Sequence, residues 1–534
     1  MAMPNTDQIK EELELFDIGY EDELVLDKSK YDSYNRTRDI NSIQDLIKAE
    51  EEEENLLDSY STPAKGSQKR ALTTPEHPQS KRCARMTSPG LILSPASFSP
   101  CATPSQKYSV RSTRGEVVST FGEAQDKLWS AQKGQRSVSV MPLLSGEDAL
   151  TSSYKYMFQR LRDIRDVLTE KIEGLGEELK LHFNIEEISP VSLPAQDKMT
   201  VLGQVCCDSN GKLNAQSVLL EAGQEHGGRQ VRLDLSDLRE YSLFPGQVVI
   251  MEGMNTDGLK FMPSKLYEGV PLPFYSPEET CAPSLLDDPP VMVLTACGPF
   301  TPSDSLAYDP LIDLLTVINR DRPDVCILLG PFVDSKHEQI EKCQVTETFE
   351  SIFARCVNSL VEGTRGIGCK LVFVPSQRDV HHNCIYPQPP FTLPDLSKED
   401  VERVSLVSDP CTLVIEGVTF VPLLAPLSHL CSLNSSSPLS STATTPYPPT
   451  EEINMDYEKF QLYGHMPVTP DILVVPSELR YFIKDVIGCL CINPGRLTKG
   501  QVGGTFGRLV VQRRGPDAEG KRRSPCLTGQ VVKI

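Results

Sequence analysis

The sequence predicts a chain of mixed class: a layered α/β domain in its second half, a small all-β domain before it, and a disordered linker ahead of both. Three observations predict this. From Val291 onward, apolar strand-like runs alternate with amphipathic helical stretches, the pattern of strands and helices stacked in layers. Between residues 198 and 270, short β-patterned runs follow one another at turn-sized intervals. Between residues 59 and 145, Ser, Thr, Pro and basic residues dominate and all periodicity disappears.

The 534 residues are enough for two or three domains with buried cores. A hydrophobic content of 39% is low for a chain that folds throughout, which fits a disordered portion. The formal net charge is −20, from 53 basic and 73 acidic residues. That excludes a surface that wraps nucleic acid as a whole, because such affinity comes from neutralised phosphates, although it leaves room for a local basic site. Met1 to Asp7 offers neither a basic nor an apolar leader region, so no signal peptide is expected. No apolar run is long enough for a membrane helix. The 16 cysteines are scattered, several within apolar strand-like runs (Cys326, Cys411, Cys489, Cys491), as buried thiols in a reducing compartment would be. Without a Cys-x-x-Cys pair, no structural zinc site is expected; His381, His382 and Cys384 are near neighbours but lack its spacing.

Residues 1–58 form an acidic, partly helical segment. Ile9, Leu13 and Phe16 make one short apolar stripe and Ile43, Leu46 and Ile47 another, neither able to build a core alone. Residues 59–148 read as a linker that buries too little apolar surface to offset its ordering entropy. It carries six Ser/Thr-Pro steps: Thr62, Thr74, Ser88, Ser94, Ser99 and Thr103 each precede a proline. Proline-directed kinases take extended substrates of this form, so these are candidate phosphorylation sites for a cyclin-dependent kinase. Lys69 and Arg70, followed by Lys81, Arg82 and Arg85, have the spacing of a bipartite nuclear import signal and predict a nuclear location.

Tyr154, Met157, Leu161, Ile164, Leu168, Ile172 and Leu175 recur at helical spacing, predicting a helix within 149–189 that packs on the next domain. Residues 190–285 then read as β. Runs at 200–205, 217–221, 230–235, 244–253 and 260–265, with a helical turn at 236–239, suggest a small barrel of the OB type. Many such barrels bind single strands through exposed aromatic and basic residues. These strands hold few aromatics and several acids, so a packing or partner role is the stronger reading.

In residues 286–534, strand-like runs at 291–296, 325–329 and 371–374 alternate with helices at 306–319 and near 349–362; later strands are expected at 412–415, 472–475, 489–492, 507–512 and 530–534. This is the layered arrangement of a phosphodiesterase domain, and its strand ends are where metal ligands should stand. A two-metal hydrolase needs carboxylate, imidazole and amide ligands there, because the metals both activate water and hold phosphate. Strand 325–329 instead runs into Gly330-Pro331-Phe332-Val333-Asp334, and strand 371–374 into Pro375-Ser376-Gln377-Arg378-Asp379. Proline offers no side-chain ligand, and arginine is a fixed cation that repels metals. No catalytic residue, metal or cofactor is therefore expected. The glycine-rich run 495–507, with Arg496 and Lys499, has two readings, a phosphate cradle or a tight inter-strand turn; it fits no Walker pattern.

Several long segments carry a resemblance: LFPGQVVIMEG (243–253), YEGVPLPFY (267–275), YDPLIDLLTVINRDRPDVCILLGPFVDSKH (308–337), LVFVPSQRDVHH (371–382), PVTPDILVVPSELRYFIKDV (467–486) and INPGRLTKGQVGGTFGRL (492–509). In these the chain resembles the family of B subunits of DNA polymerase alpha. The resemblance implies an OB-fold domain set against an inactive calcineurin-like phosphodiesterase domain. It implies a non-catalytic role: holding the C-terminal module of the polymerase catalytic subunit, linking it to primase, and serving replication initiation in the nucleus under cell-cycle phosphorylation. It also lets the site be read by position. Gly330 and Asp334 remain of a Gly-Asp-x-x-Asp motif, with Pro331 in place of the bridging carboxylate. Gln377 and Arg378 precede the surviving Asp379 of a Gly-Asn-His-Asp motif, and Asn493 to Arg496 stand for a Gly-His-x-His. Two departures are visible. The N-terminal helical module is reduced to its first helix around Ile9–Phe16, and residues 421–450 are Ser/Thr/Pro-rich where the family has a helix.

Two other readings stand beside this one. An active metallophosphoesterase would use Asp334, Asp379, His381 and His382. A single-strand binder would act through the barrel; the acidic strands argue for weak or no direct DNA binding.

Overall fold

The apolar run at Val291–Cys297 is buried along its whole length and forms the centre of a seven-stranded sheet. Val404–Leu406, Lys370–Val374, Val325–Leu329 and Val291–Cys297 lie parallel in that order, and Thr505–Val511, Cys526–Lys533 and Val117–Gly122 continue the sheet antiparallel. A second sheet has six strands, in the order Phe482–Val486, Cys489–Asn493, Ile472–Val474, Val418–Pro422, Leu413–Ile415 and Val140–Pro142. The sheets pack face to face: Val293, Ile327 and Val372 from one meet Phe420, Ile472 and Leu490 from the other in a single buried cluster. Parallel strands covered on both faces read as continuous apolar runs, which is why periodicity located them.

Helices cover the outer faces. Asp309–Asp321 buries Leu311, Leu314 and Ile318, three- and four-residue spacing on one stripe, against the first sheet. It starts three residues later than the expected 306, because Pro310 sits in its first turn, where the missing N–H costs nothing. Phe349–Thr364 packs beside it, and its N-cap Thr348 accepts from the Ser351 N–H (3.3 Å). Tyr457–Tyr463 covers the second sheet through Phe460.

Five strands close into a barrel in the order Ala195–Cys207, Val218–Glu221, Gln230–Leu233, Lys260–Tyr267 and Val248–Asn255. Alternate residues point inward, and Val201, Val205, Leu220, Val231, Val249, Met251 and Phe261 fill it. Gly253 marks a close backbone approach: a Cβ there would stand 2.2 Å from the Met262 carbonyl oxygen.

The computed structural model describes residues 103–122, 129, 138–208, 213–223, 228–239, 241–267, 269–276, 289–393, 396–424, 454–499, 502–514 and 522–534, all within one compact unit spanning Phe98–Ile534. The expected short helices of 1–58 and most of the Ser/Thr/Pro-rich departure at 421–450 lie outside them.

Two expectations need correction. The helix expected from residue 149 runs only over Leu161–Phe183. Met157 takes a left-handed φ of 68°, and the preceding residues are instead strapped onto the α/β domain. Tyr154 donates to the Pro387 carbonyl, and Gln159 Nε2 donates to the Met455 carbonyl (2.7 Å). Local periodicity was present, but these tertiary hydrogen bonds prevailed over it. The helix that does form touches both domains. Ile172 and Leu179 pack on Leu202, Val248 and Ile250 of the barrel, while Val167 joins Tyr386 and Phe460 of the sandwich.

The second correction concerns the expected linker. Parts of it are folded: Pro104–Ser109 is a helix, and Val117–Gly122 and Val140–Pro142 are strands of the two sheets. Tyr108 is buried beneath the chain, with its hydroxyl donating to Asp313 (2.9 Å). Arg111 donates to the same carboxylate (2.5 Å) and to the Ile534 carbonyl (2.9 Å), stitching the segment to residues far along the chain. Thr103 is the N-cap of this short helix. Its Oγ1 accepts from the Gln106 N–H (3.4 Å), and the Gln106 side chain accepts from the Thr103 N–H (3.0 Å). Two residues on, Ser105 donates through its N–H (3.0 Å) and its hydroxyl (2.5 Å) to Asp304.

Candidate functional site

The strands Val325–Leu329 and Lys370–Val374 are parallel neighbours, so the loops after them emerge side by side. Asp334 and Asp379 meet there in an isolated antiparallel bridge. Gly330 permits the approach, since a Cβ on it would lie 2.2 Å from Asp379 Oδ2.

Each of the two carboxylates is already engaged. Asp379 is 1% exposed. Its Oδ1 accepts from the backbone N–H of Phe332 (2.5 Å) and Val333 (3.1 Å), and its Oδ2 accepts from Ser376 (3.0 Å). Burial pushes its carboxyl up to about 7, against the lowering effect of those three donors. Asp334 faces Arg378. Nε of Arg378 donates to Oδ1 (3.0 Å) and Nη2 to Oδ2, a two-pronged fork on a nearly buried carboxylate. A guanidinium thus stands against the carboxylate that would hold a metal.

The remaining candidates do not converge. Pro331 packs by its backbone, its carbonyl oxygen 2.0 Å from where a Cβ on Gly298 would be. Gln377 is half-buried with Nε2 unpartnered. His381 stacks on Phe353 (centroids 4.1 Å apart) and Phe391 (5.4 Å), neither ring nitrogen makes a hydrogen bond, and burial pushes it down to about 4. His382 donates from Nε2 to the Pro389 carbonyl (2.7 Å), and burial lowers its pKa. Among the described residues no three His, Cys, Asp or Glu side chains form a group suited to a metal. The residues present do not fit a two-metal centre. Thr62, Thr74, Ser88, Ser94 and Ser99, and the basic pairs Lys69–Arg70 and Lys81–Arg82, lie outside the described residues.

Four further residues reach the cleft. Asn493 braces it, with Oδ1 accepting from the N–H groups of Ser477 (3.1 Å) and Gly495 (2.9 Å). The glycine-rich run does turn between strands, as Thr498–Lys499 pairs with Val502–Gly503, but it also delivers Arg496 to the cleft. Arg496 Nη1 donates to Cys297 Sγ (2.9 Å), and Glu478 reaches toward both Arg496 and Arg378. Arg496 was signalled by its place in the segment that stands for the Gly-His-x-His motif. Glu478 and Cys297 carried no signal, because only the fold brings them near.

The family profile for the OB domain of DNA polymerase alpha B subunits matches residues 165–269, and the profile for B subunits of DNA polymerases alpha and epsilon matches residues 293–484. Among B subunits of DNA polymerase alpha, that of Mus musculus is 54% identical over 526 residues, covering 95% of this chain and 86% of that protein. This chain belongs to the family of DNA polymerase alpha B subunits. The Rattus norvegicus member is 55% identical with the same shares of each chain covered, and the Drosophila melanogaster member is 29% identical over 88% of this chain and 80% of the relative. As a member of the DNA polymerase alpha B subunits, the chain carries its OB-domain match on the closed barrel, extended N-terminally through most of the Leu161–Phe183 helix. The second match falls on the sandwich and contains Asp334, Arg378, Asp379 and Glu478.

Proposed function

We propose that this chain is a non-catalytic accessory subunit of a DNA polymerase alpha–primase complex. In this reading the joined barrel and sandwich receive the C-terminal module of the catalytic subunit and link it to primase in the nucleus. The observation that carries the reading is the Arg378 fork on Asp334. A fixed cation neutralises one surviving carboxylate, and three backbone N–H groups hold the other, so the phosphodiesterase-like cleft is inactive and the domain serves as a surface.

The physical support for a platform is the way the two domains are joined. Helix Leu161–Phe183 packs on both, and the Thr469 N–H and hydroxyl bond the carbonyls of Pro273 (2.9 Å) and Leu272 (2.7 Å) in the segment leaving the barrel. A partner resting across that seam meets a surface already ordered, and so loses less conformational entropy on binding.

Regulation fits the same reading. A phosphate on Thr103 would add about −1.5 to −2 charges next to the carboxylate of Asp304 and at the cap of the helix that buries Tyr108. Like-charge repulsion would loosen that segment. Phosphorylation of the other Ser/Thr-Pro sites would alter the charge of the segment before it.

The test is co-purification of the full chain with the C-terminal module of the catalytic subunit, alongside a manganese-dependent phosphodiesterase assay of the chain alone. A stable one-to-one complex with no hydrolysis is the expected result. Hydrolysis abolished by Asp334→Ala would favour an active phosphoesterase instead, and absence of a complex would remove the platform reading.

A further inference from the structure

The cleft holds more positive charge than its two aspartates require. Arg378 serves Asp334, but Arg496 has no hydrogen-bonded carboxylate. Its side chain is only 11% exposed, Nη1 is spent on Cys297 Sγ (2.9 Å) and more distantly on the Gly298 carbonyl (3.4 Å), and Nε is buried with no hydrogen-bond partner. Facing it is Glu478, whose side chain is 61% exposed; its Oε1 lies 3.4 Å from Arg496 Nε and 3.8 Å from Arg378 Nη1. Lys499 is tied to the same loop, donating to the Glu478 carbonyl (2.6 Å). One loosely held carboxylate therefore sits between two arginines, with a lysine at the rim.

That arrangement differs from a structural ion pair. Glu478 is itself 61% exposed and stands 3.4 and 3.8 Å from the two arginines without a hydrogen bond to either, so it can turn into solvent more readily than the forked carboxylate of Asp334. Doing so would open a pocket edge carrying Arg378, Arg496 and Lys499 against Asp334 and the buried Asp379. A local excess of positive charge suits an anion, and a guanidinium with a free N–H presents the planar donor geometry that phosphate oxygens accept.

We infer that this cleft is an anion site for a terminal phosphate group, bound by Arg496 with Arg378 and Lys499, and that Glu478 occupies it as a built-in competitor. The inference goes beyond the accessory role and survives or fails independently of it. The phosphate could be carried by a free nucleotide or by a phosphorylated side chain.

The test is titration calorimetry of the full chain with inorganic phosphate at constant ionic strength. Saturable one-to-one binding is expected, strengthened about tenfold by Glu478→Gln, a change equivalent to about 1.4 kcal/mol, and abolished by Arg496→Gln. Lys499→Gln changes an exposed residue and should weaken binding severalfold without affecting the fold, so the inference stays testable if Arg496→Gln unfolds. Tighter binding of adenosine monophosphate than of O-phosphoserine would assign the source to a nucleotide, and the reverse to a modified side chain. Absence of saturable binding in Glu478→Gln, indifference to Lys499→Gln, or equal binding of acetate would overturn it.

Discussion

Of the arginine–aspartate pairs that tie distant parts of this molecule together, two differ in what they hold. In the cleft, Arg378 grips Asp334 across 44 residues of chain where a hydrolase would place a metal. At the other pair, Arg111 grips Asp313 across 202 residues and fastens a segment that composition alone would leave unfolded. The first pair closes a cleft between two strand ends and the second fastens a segment short of apolar residues. The comparison teaches that one kind of charge pair can lock a carboxylate at two strand ends and can also hold a poorly apolar stretch of chain in place.

The strongest way to break the comparison is to remove the cleft cation. Arg378→Ala leaves Asp334 buried without its partner, and a loss of about 3–5 kcal/mol in urea unfolding is expected. The double variant with Asp334→Ala should recover most of that loss. If Arg378→Ala is neutral, the fork is not what closes the cleft.

Arg111→Ala removes charge-assisted bonds but leaves behind a carboxylate that water can reach, since Asp313 is 29% exposed where Asp334 is 6% exposed. A loss of about 1.5–3 kcal/mol is expected, together with limited proteolysis confined to residues 103–122. Global unfolding without earlier local cleavage would show that the segment is not a separable clamp. Thr103→Ala removes the N-cap of the helix inside this clamp and should cost about 1 kcal/mol. Thr103→Glu should loosen the segment further through Asp304, and Asp304→Asn should suppress that extra effect; the readout is amide hydrogen exchange at Tyr108.

Asp409 sharpens the comparison as a buried carboxylate without an arginine. It is fully buried, neither oxygen has a side-chain partner, and burial pushes it up to about 7. An acid raised in the folded state above its ordinary value of about 4 makes the native form bind the extra proton. Its contribution is favourable at low pH and is lost as pH rises from about 4 to about 7. Asp409→Asn should therefore gain on the wild type as pH rises across that window, in denaturation curves at pH 5 and pH 8. A difference independent of pH would refute the assignment.

The cleft was legible because its motifs are contiguous. Gly330 to Asp334 and Ser376 to Asp379 each announce a strand end, and proline and arginine in ligand positions can be read without a structure. The fork itself was not legible, since nothing local tells Arg378 that Asp334 lies opposite. The barrel and the parallel strands were legible from alternation and from continuous apolar runs. The folded stretch 103–122 was not. Its Ser, Thr and Pro content resembles linker, and its order comes from one tyrosine, one arginine and an edge strand whose partners lie at Asp313, Ile534 and Cys526–Lys533. The residues before Leu161 erred in the other direction, because helical spacing there is overridden by bonds to Pro387 and Met455.

The helix Leu161–Phe183 has a mechanical consequence. With Ile172 and Leu179 seated on the barrel and Val167 on the sandwich, it acts as a splint across the joint between them. A load applied to either domain is transmitted to the other instead of bending the seam.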